Sequence, residues 1–280
     1  MITSPLTFCL NPEYLDDVAT KYHEEYLQGN PFPHIVIDNF LPNNILEEIL
    51  EEFPSPEQIN WKKYDKAFEK KLGSASEIQM GEKTRFLLYQ LNSSIFLNFI
   101  EKLTGVQQLI PDPFFDGAGL HQIQRGGFLK LHIDFNKHHK LPLDRRINLI
   151  LYLNQDWKEE YGGALELWDQ ELQGCVKKIP PLFNRCVIFS TNDFTYHGHP
   201  EPLNCPEGIT RKSIALFYYS NGRPPEEVNR NTHGSDFYTN SGELYRETNK
   251  KYQGRNLIKQ FIPPIIVDIK NYISKKSTSQ

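Results

Sequence analysis

The sequence predicts a mainly β protein with covering helices, its strands arranged as a double-stranded β-helix of the jelly-roll type. Three observations carry this expectation. Between residues 117 and 222, short runs rich in Ile, Leu, Val, Phe and Tyr alternate with clusters of glycine, proline and asparagine. Ahead of them, residues 45–53 and 93–103 repeat apolar side chains at the spacing of one helix face. A chain of 280 residues with 39% hydrophobic content is enough to build one sizeable core rather than two.

The chain divides into three regions: a mainly helical cover over residues 1–116, the jelly-roll core over 117–222, and a C-terminal extension over 223–280. In the first, residues 12–28 are polar and helix-prone, and His34-Ile-Val-Ile-Asp reads as a short strand. Asn43 is expected to cap the helix that carries Ile45, Leu46, Ile49 and Leu50 on one side. The next helix presents Ile95, Phe96, Phe99 and Leu103 and stops near Gly105. In the core, strands are expected at 119–124, 128–134, 146–153, 164–168, 175–179, 185–190 and 211–220. Several short strands at this spacing call for an antiparallel sandwich or barrel, a class whose jelly-roll members house small ligands. The extension opens at the breaker Gly222-Arg-Pro-Pro and continues to a mixed segment at 257–273 and a polar end at 275–280.

Composition excludes several classes. Net charge is −4, and no run of like charges is long enough to follow a phosphate backbone, so nucleic acid is not an expected partner. No stretch reaches the ~20 continuous apolar residues of a membrane helix, and the N-terminus lacks a basic region followed by an apolar one. Cys9, Cys175, Cys186 and Cys205 are scattered and form no C-x-x-C pair, as reduced thiols of a cytoplasmic protein would be.

The chemistry gathers at His132-Ile133-Asp134. At a strand end, alternation turns the imidazole and the carboxylate to one face. A third ligand must come from elsewhere, and Tyr196-His197-Gly198-His199-Pro200 supplies it. His197 is the preferred residue, although His199 shares its face and stays open as a ligand or as support behind one. Two histidines and one carboxylate on one face leave open coordination positions, the arrangement of non-haem iron(II) oxygenases. Fourteen residues after His197 a strong strand begins with Arg211. Alternation puts Arg211, Ser213, Ala215 and Phe217 on its inner face, and a buried guanidinium is costly unless it meets an anion. A dicarboxylate would satisfy it, with Ser213 adding a hydrogen bond.

The ordered set resembles the prolyl 4-hydroxylase-like branch of the 2-oxoglutarate and iron(II)-dependent oxygenases. It consists of H-x-D at 132–134, Arg146-Ile-Asn-Leu-Ile-Leu-Tyr-Leu-Asn, Gly162-Gly163, His197 and Arg211-x-Ser213. The resemblance implies that His132, Asp134 and His197 bind Fe(II), and that Arg211 and Tyr152 receive the far carboxylate of 2-oxoglutarate. Asn148 shares a strand face with Tyr152 and is a second candidate there. It implies hydroxylation of an unactivated C–H bond with O₂, release of succinate and CO₂, and ascorbate as a reductant. Many relatives carry a tyrosine before the glycines that precede H-x-D, where this chain has Gln124-Arg125-Gly126-Gly127.

Substrate is less legible. Gly126-Gly127, Gly162-Gly163, Trp157, Trp168 and the segment 136–144 are expected to frame the entrance, with Arg125, Lys137 and Arg145 on its rim. A free amino acid or peptide-like metabolite, a prolyl residue in a protein and a saccharide or lipid-linked building block all fit, the compact chain without a peptide-binding repeat favours a small molecule, and oligomeric state is not readable. The competing class is a cupin-type metal-dependent isomerase or binding protein, which shares the barrel but has no need of a buried arginine on the last strand. His121, His138, His139 and His233 read as turn, surface or core residues.

Overall fold

The computed structural model describes residues 8–229, 234–239 and 242–244. The expected segments at 257–273 and 275–280, and His233, lie outside them. Pro12–Leu27 forms helix α1, begun by Asn11, whose Oδ1 accepts the N–H groups of Glu13 and Tyr14. Strand β1 is His34–Asp38, and helix α2 is Asn43–Glu52. Asn43 does not cap α2. It lies inside the helix, and its Oδ1 accepts from Asn184 Nδ2 at 2.6 Å, which ties α2 to a turn of the core.

A hairpin follows that the helical reading of this region did not anticipate: β2, Lys62–Lys66, and β3, Glu69–Ser74. Helix α3, Glu82–Leu91, was also unexpected, because its start is capped from a distance. Glu52 Oε1 accepts the Thr84 N–H at 2.6 Å, so no local cap signal marks the sequence. Helix α4, Ser94–Thr104, is bounded as expected by Ser93, whose Oγ accepts the Phe96 N–H, and by Gly105 in the left-handed region at φ 75°.

Of the remaining strands, seven follow the sequence reading closely, and those at 110–111, 197–199 and 236–238 were not expected. In chain order the remaining strands are β4, Ile110–Pro111; β5, Gly119–Ile123; β6, Phe128–Ile133; β7, Asp144–Tyr152; β8, Leu165–Trp168; β9, Cys175–Ile179; β10, Arg185–Ser190; β11, His197–His199; β12, Arg211–Ser220; and β13, Asp236–Tyr238. All pairings are antiparallel, in the order β1-β10-β7-β12-β5-β3-β6-β11-β8-β9. The order describes a sheet nearly closed into a barrel. One wall is β1-β10-β7-β12-β5, the other is β6-β11-β8-β9, and β3 pairs with both β5 and β6 to join them. The jelly roll is therefore the fold.

Alternation along the first wall sorts its side chains. Leu149, Leu151, Ile188, Ile214 and Leu216 join Leu15, Val18, Phe96, Phe99 and Leu103 in one buried cluster, so the helices cover that wall's outer face. The opposite face of the same strands lines the barrel, where Tyr152, Leu165, Leu167, Val187 and Phe189 form a second cluster. The pairing of β7 with β12 is interrupted once. Ile147 stands opposite Tyr218 and Arg145 opposite Tyr219, so Arg146 is an extra residue in a β-bulge. Among the described residues no helix is long and apolar enough to cross a membrane.

Candidate active site

His132 comes from β6, Asp134 follows its last residue, and His197 starts β11 directly opposite His132 in the antiparallel register. That register brings three side chains from two strands together. One ligand-capable atom from each of the three lies within 4.8 Å of the others. His132 Nε2 is 3.5 Å from Asp134 Oδ1, and His197 Nε2 is 3.2 Å from Asp134 Oδ2. Both imidazoles are oriented by one device. Nδ1–H of His132 donates to the Lys130 carbonyl at 2.9 Å and that of His197 to the Thr195 carbonyl at 3.0 Å, which leaves each Nε2 as a lone-pair donor. Phe237 of β13 stacks on His132, and Phe189 meets His197 edge-on.

Electrostatics keeps His132 and Asp134 in a metal-ready state. Burial, followed by the charge of His197, pulls His132 down to about 4. For Asp134, burial pushes the carboxyl up, but Arg145 and His197 outweigh it and hold it well below the usual carboxylate range. The Arg145 guanidinium donates from Nη2 to Asp134 Oδ2 at 2.9 Å, and Asn148 Nδ2 donates to the same oxygen at 2.7 Å. Arg145 also donates from Nε to Asn148 Oδ1 at 2.8 Å and lies between the rings of Phe217 and Phe135.

Two sequence expectations are thereby revised. Arg145 is not a rim residue but is 1% exposed, because the bulge at Arg146 turns it onto the inner face. Asn148 stands at the Asp134 carboxylate rather than beside Arg211. Of the other expected rim residues, Lys137 pairs with Asp144, whereas Arg125 donates to the Cys205 carbonyl and lines an open cleft. Trp157 and Trp168 are both buried, their Nε1–H groups bound to the Gly162 carbonyl and the Glu166 carboxylate.

Deeper in the barrel, Arg211 opens β12 and is 5% exposed. It donates from Nε to the Gly163 carbonyl at 2.8 Å and from Nη2 to the Tyr152 hydroxyl at 3.1 Å. Ser213 is buried beside them, opposite Tyr152. Gly163 has φ +72°, and a Cβ there would stand 2.5 Å from Leu203 and 3.0 Å from Arg211 Cδ, so glycine is needed for this approach. No carboxylate of the described residues forms an ion pair with Arg211. His199 lies outside the three-residue cluster. Lys71 of the unanticipated hairpin is also part of this neighbourhood: half-buried and 3.6 Å from Glu69, it feels the charges of Asp134 and Arg145. His138, expected as an ordinary core or surface residue, is a core one. Its Nδ1 accepts from the Lys140 and Leu141 amides, so its Nε2–H donates to Asp112. His139 is exposed against Asp116, and His121 Nε2 lies 3.1 Å from the Gly117 carbonyl.

Residues 118–219 match the family model of the 2OG-Fe(II) oxygenase superfamily. These residues are a 2OG-Fe(II) oxygenase domain. The oxygenase domain holds every residue of the His132, Asp134, His197 and Arg211 constellation. Among curated proteins, the chain is similar to prolyl 3-hydroxylase OGFOD1 of Mus musculus, 38% identical over 87 residues, which are 29% of this chain and 16% of the relative. It is also similar to prolyl 3-hydroxylase OGFOD1 of Xenopus laevis, 26% identical over 210 residues, 71% of this chain and 37% of the relative. The chain thus spans little more than a third of the longer-matched relative. Among solved structures, a Trichoplax adhaerens prolyl hydroxylase in complex with a hypoxia inducible factor peptide fragment aligns with TM-score 0.53 and 19% identity, over 74% of this chain and 91% of that one. A Pseudomonas putida prolyl-4-hydroxylase aligns with TM-score 0.50 and 16% identity, over 75% and 99%. At such identities these neighbours speak for the jelly-roll fold of the oxygenase domain.

Proposed function

We propose that this chain is an Fe(II)- and 2-oxoglutarate-dependent hydroxylase acting on a prolyl or other peptide-like substrate. One observation carries the reading: a two-histidine, one-carboxylate trio faces a barrel interior in which a buried guanidinium has, among the described residues, only neutral partners, the Gly163 carbonyl and the Tyr152 hydroxyl. Burying an uncompensated cation costs several kcal/mol, and a dicarboxylate ligand offsets that cost through charge-assisted hydrogen bonds. The residues therefore fit both groups. His132 and His197 offer Nε2 and Asp134 a carboxylate oxygen to the metal, the donor set suited to iron(II). Arg211 and Tyr152 receive the far carboxylate, with Ser213 beside them. Arg145 and Asn148 fix the Asp134 carboxylate from behind. When bound, iron and 2-oxoglutarate together activate O₂ for C–H hydroxylation and release succinate and CO₂, with ascorbate as a supporting reductant.

The peptide-like substrate is supported by the names of the relatives and by an open cleft of about 990 Å³, lined by Trp61, Tyr64, Lys71, Leu72, Arg125 and Thr210. Lys71 belongs to that lining and also feels the Asp134 charge. Open walls of this size, with Trp61 and Tyr64 beside side chains of both charges, suit an extended chain better than a fully enclosed metabolite. All four cysteines are free thiols, which supports a reducing compartment such as the cytoplasm.

The test is an anaerobic titration of the iron(II)-loaded protein with 2-oxoglutarate, followed by the weak visible charge-transfer band of a keto-acid chelate. A saturable band is expected. Bound iron without a band would favour a cupin-type metal protein instead. Succinate release in the presence of proline-containing peptides then reads the substrate class.

A further inference from the structure

His199 is 4% exposed, and neither of its ring nitrogens meets a hydrogen-bond partner among the described residues. An imidazole always carries at least one N–H, and a buried donor without a partner is rare because its lost hydration is not replaced. The other interior histidines do not share this condition: His132, His197 and His138 each have a hydrogen-bonded Nδ1. The orphaned ring therefore points to a ligand.

Strand geometry fixes where it points. His199 stands two residues beyond His197 on β11, so alternation returns it to the same inner face. The register slip between them places three steps of β6 against two of β11, so the irregularity lies on β6 and β11 keeps its alternation. Gly198 closes the opposite direction: a Cβ there would lie 2.8 Å from the Leu129 and Lys130 carbonyls. β11 runs antiparallel to β8, with His197 opposite Leu167 and Gly198 opposite Glu166, so the step from His197 to His199 moves along β8 toward Gly163, whose carbonyl holds the Arg211 Nε–H. An N–H donor on the Arg211 side of the trio is placed to meet an anionic oxygen shared with that guanidinium.

We propose that His199 donates an N–H to the same ligand carboxylate that Arg211 and Tyr152 receive, as the third point of the dicarboxylate site. The inference rests on the 2-oxoglutarate reading above and gives His199 a role distinct from metal ligation. It also explains why two histidines flank a glycine in β11: His197 serves the metal end of the ligand and His199 the far end.

The experiment is calorimetric titration of the anaerobic iron(II)-loaded protein with 2-oxoglutarate and with 2-oxopentanoate, which lacks the far carboxylate. Wild type is compared with His199→Phe and His199→Gln, and iron content is measured in each. Phenylalanine keeps a ring without a donor, and glutamine keeps a donor without the ring. His199→Phe is expected to bind 2-oxoglutarate about 10–100-fold more weakly, the loss of one hydrogen bond to a charged group. His199→Gln should recover much of that loss, 2-oxopentanoate binding should be the same in all three proteins, and iron content should not change. Unchanged 2-oxoglutarate binding in His199→Phe would overturn the proposal. So would loss of iron, which would make His199 a ligand, or an equal loss for 2-oxopentanoate, which would put the contact at the other end. If only the glutamine variant folds, affinity more than tenfold below wild type for both keto acids counts against the proposal, and a smaller loss confined to 2-oxoglutarate supports it. Failure of wild type itself to bind 2-oxoglutarate would instead remove the parent reading.

Discussion

Arg145 is the residue whose replacement tests most directly how the metal carboxylate is supported. In the metal-free protein its guanidinium is the principal cation compensating Asp134, at 2.9 Å, and it also fixes Asn148 and packs between Phe135 and Phe217. Arg145→Gln takes its nearest cation away from a largely buried carboxylate, a change that costs about 3–5 kcal/mol. For a chain of this size each kcal/mol moves the melting temperature by roughly 2–4 °C, so the metal-free variant should melt about 6–20 °C below wild type. A divalent ion bound at the trio supplies the missing positive charge. Saturation with iron(II) or zinc should therefore raise the melting temperature of Arg145→Gln by more than it raises that of wild type. Calorimetric scans with chelator and with metal measure both quantities. A metal-free shift under about 2 °C, or equal gains on metal addition in the two proteins, would refute the assignment of Arg145 as the counter-charge of Asp134.

Three other outcomes are expected. His132→Ala or Asp134→Ala should abolish iron-dependent turnover while circular dichroism stays native; activity in both would sink the trio. Arg211→Ala should raise the half-saturating concentration of 2-oxoglutarate by about 10–100-fold, the worth of a charge-assisted contact, and an unchanged value in the same titration would take Arg211 out of the dicarboxylate site. The metal-free protein should lose stability as pH falls. His132 is pulled down to about 4 when folded, against about 6.5 unfolded, so the unfolded chain takes up a proton first. Its contribution is complete above about pH 6.5 and fades toward pH 4, by up to about 3 kcal/mol; chelator-treated melts that do not change between pH 7 and 4.5 would contradict this.

The core strands were legible because each carries an apolar alternation bounded by breakers, and β9, β10 and β12 begin and end where the pattern says. Helix α3 and the β2–β3 hairpin were not. The first takes its cap from Glu52, thirty-two residues earlier, and the second begins with Lys-Lys-Tyr-Asp-Lys, which is mostly exposed and has no apolar period. Lys71 was missed with that hairpin. The three-residue metal cluster was readable because H-x-D on a strand forces two side chains to one face and the ordered set of motifs running on to Arg211 singles out His197. Asn148 was read by strict alternation, which fixes the face of a residue but not its depth in the barrel, and Arg145 was left on the rim because the strand starts two residues earlier than its apolar pattern and a bulge resets the count.

That bulge has an implication for how the sequence can drift. Arg145 and Arg146 are identical neighbours with opposite duties: the first faces Asp134 inside the barrel, and the second reaches outward to Glu227 and Ser220. What separates their duties is position along the chain, because both carry the same side chain. A single-residue deletion between 144 and 147 would leave one arginine with regular pairing, its side chain committed to one side of the wall. Point changes around the bulge leave the register intact, whereas a change in chain length exchanges inside for outside. The spacing of this stretch is thus a constraint separate from its composition, and relatives that keep the carboxylate support should vary in loop length before residue 144 rather than within the strand.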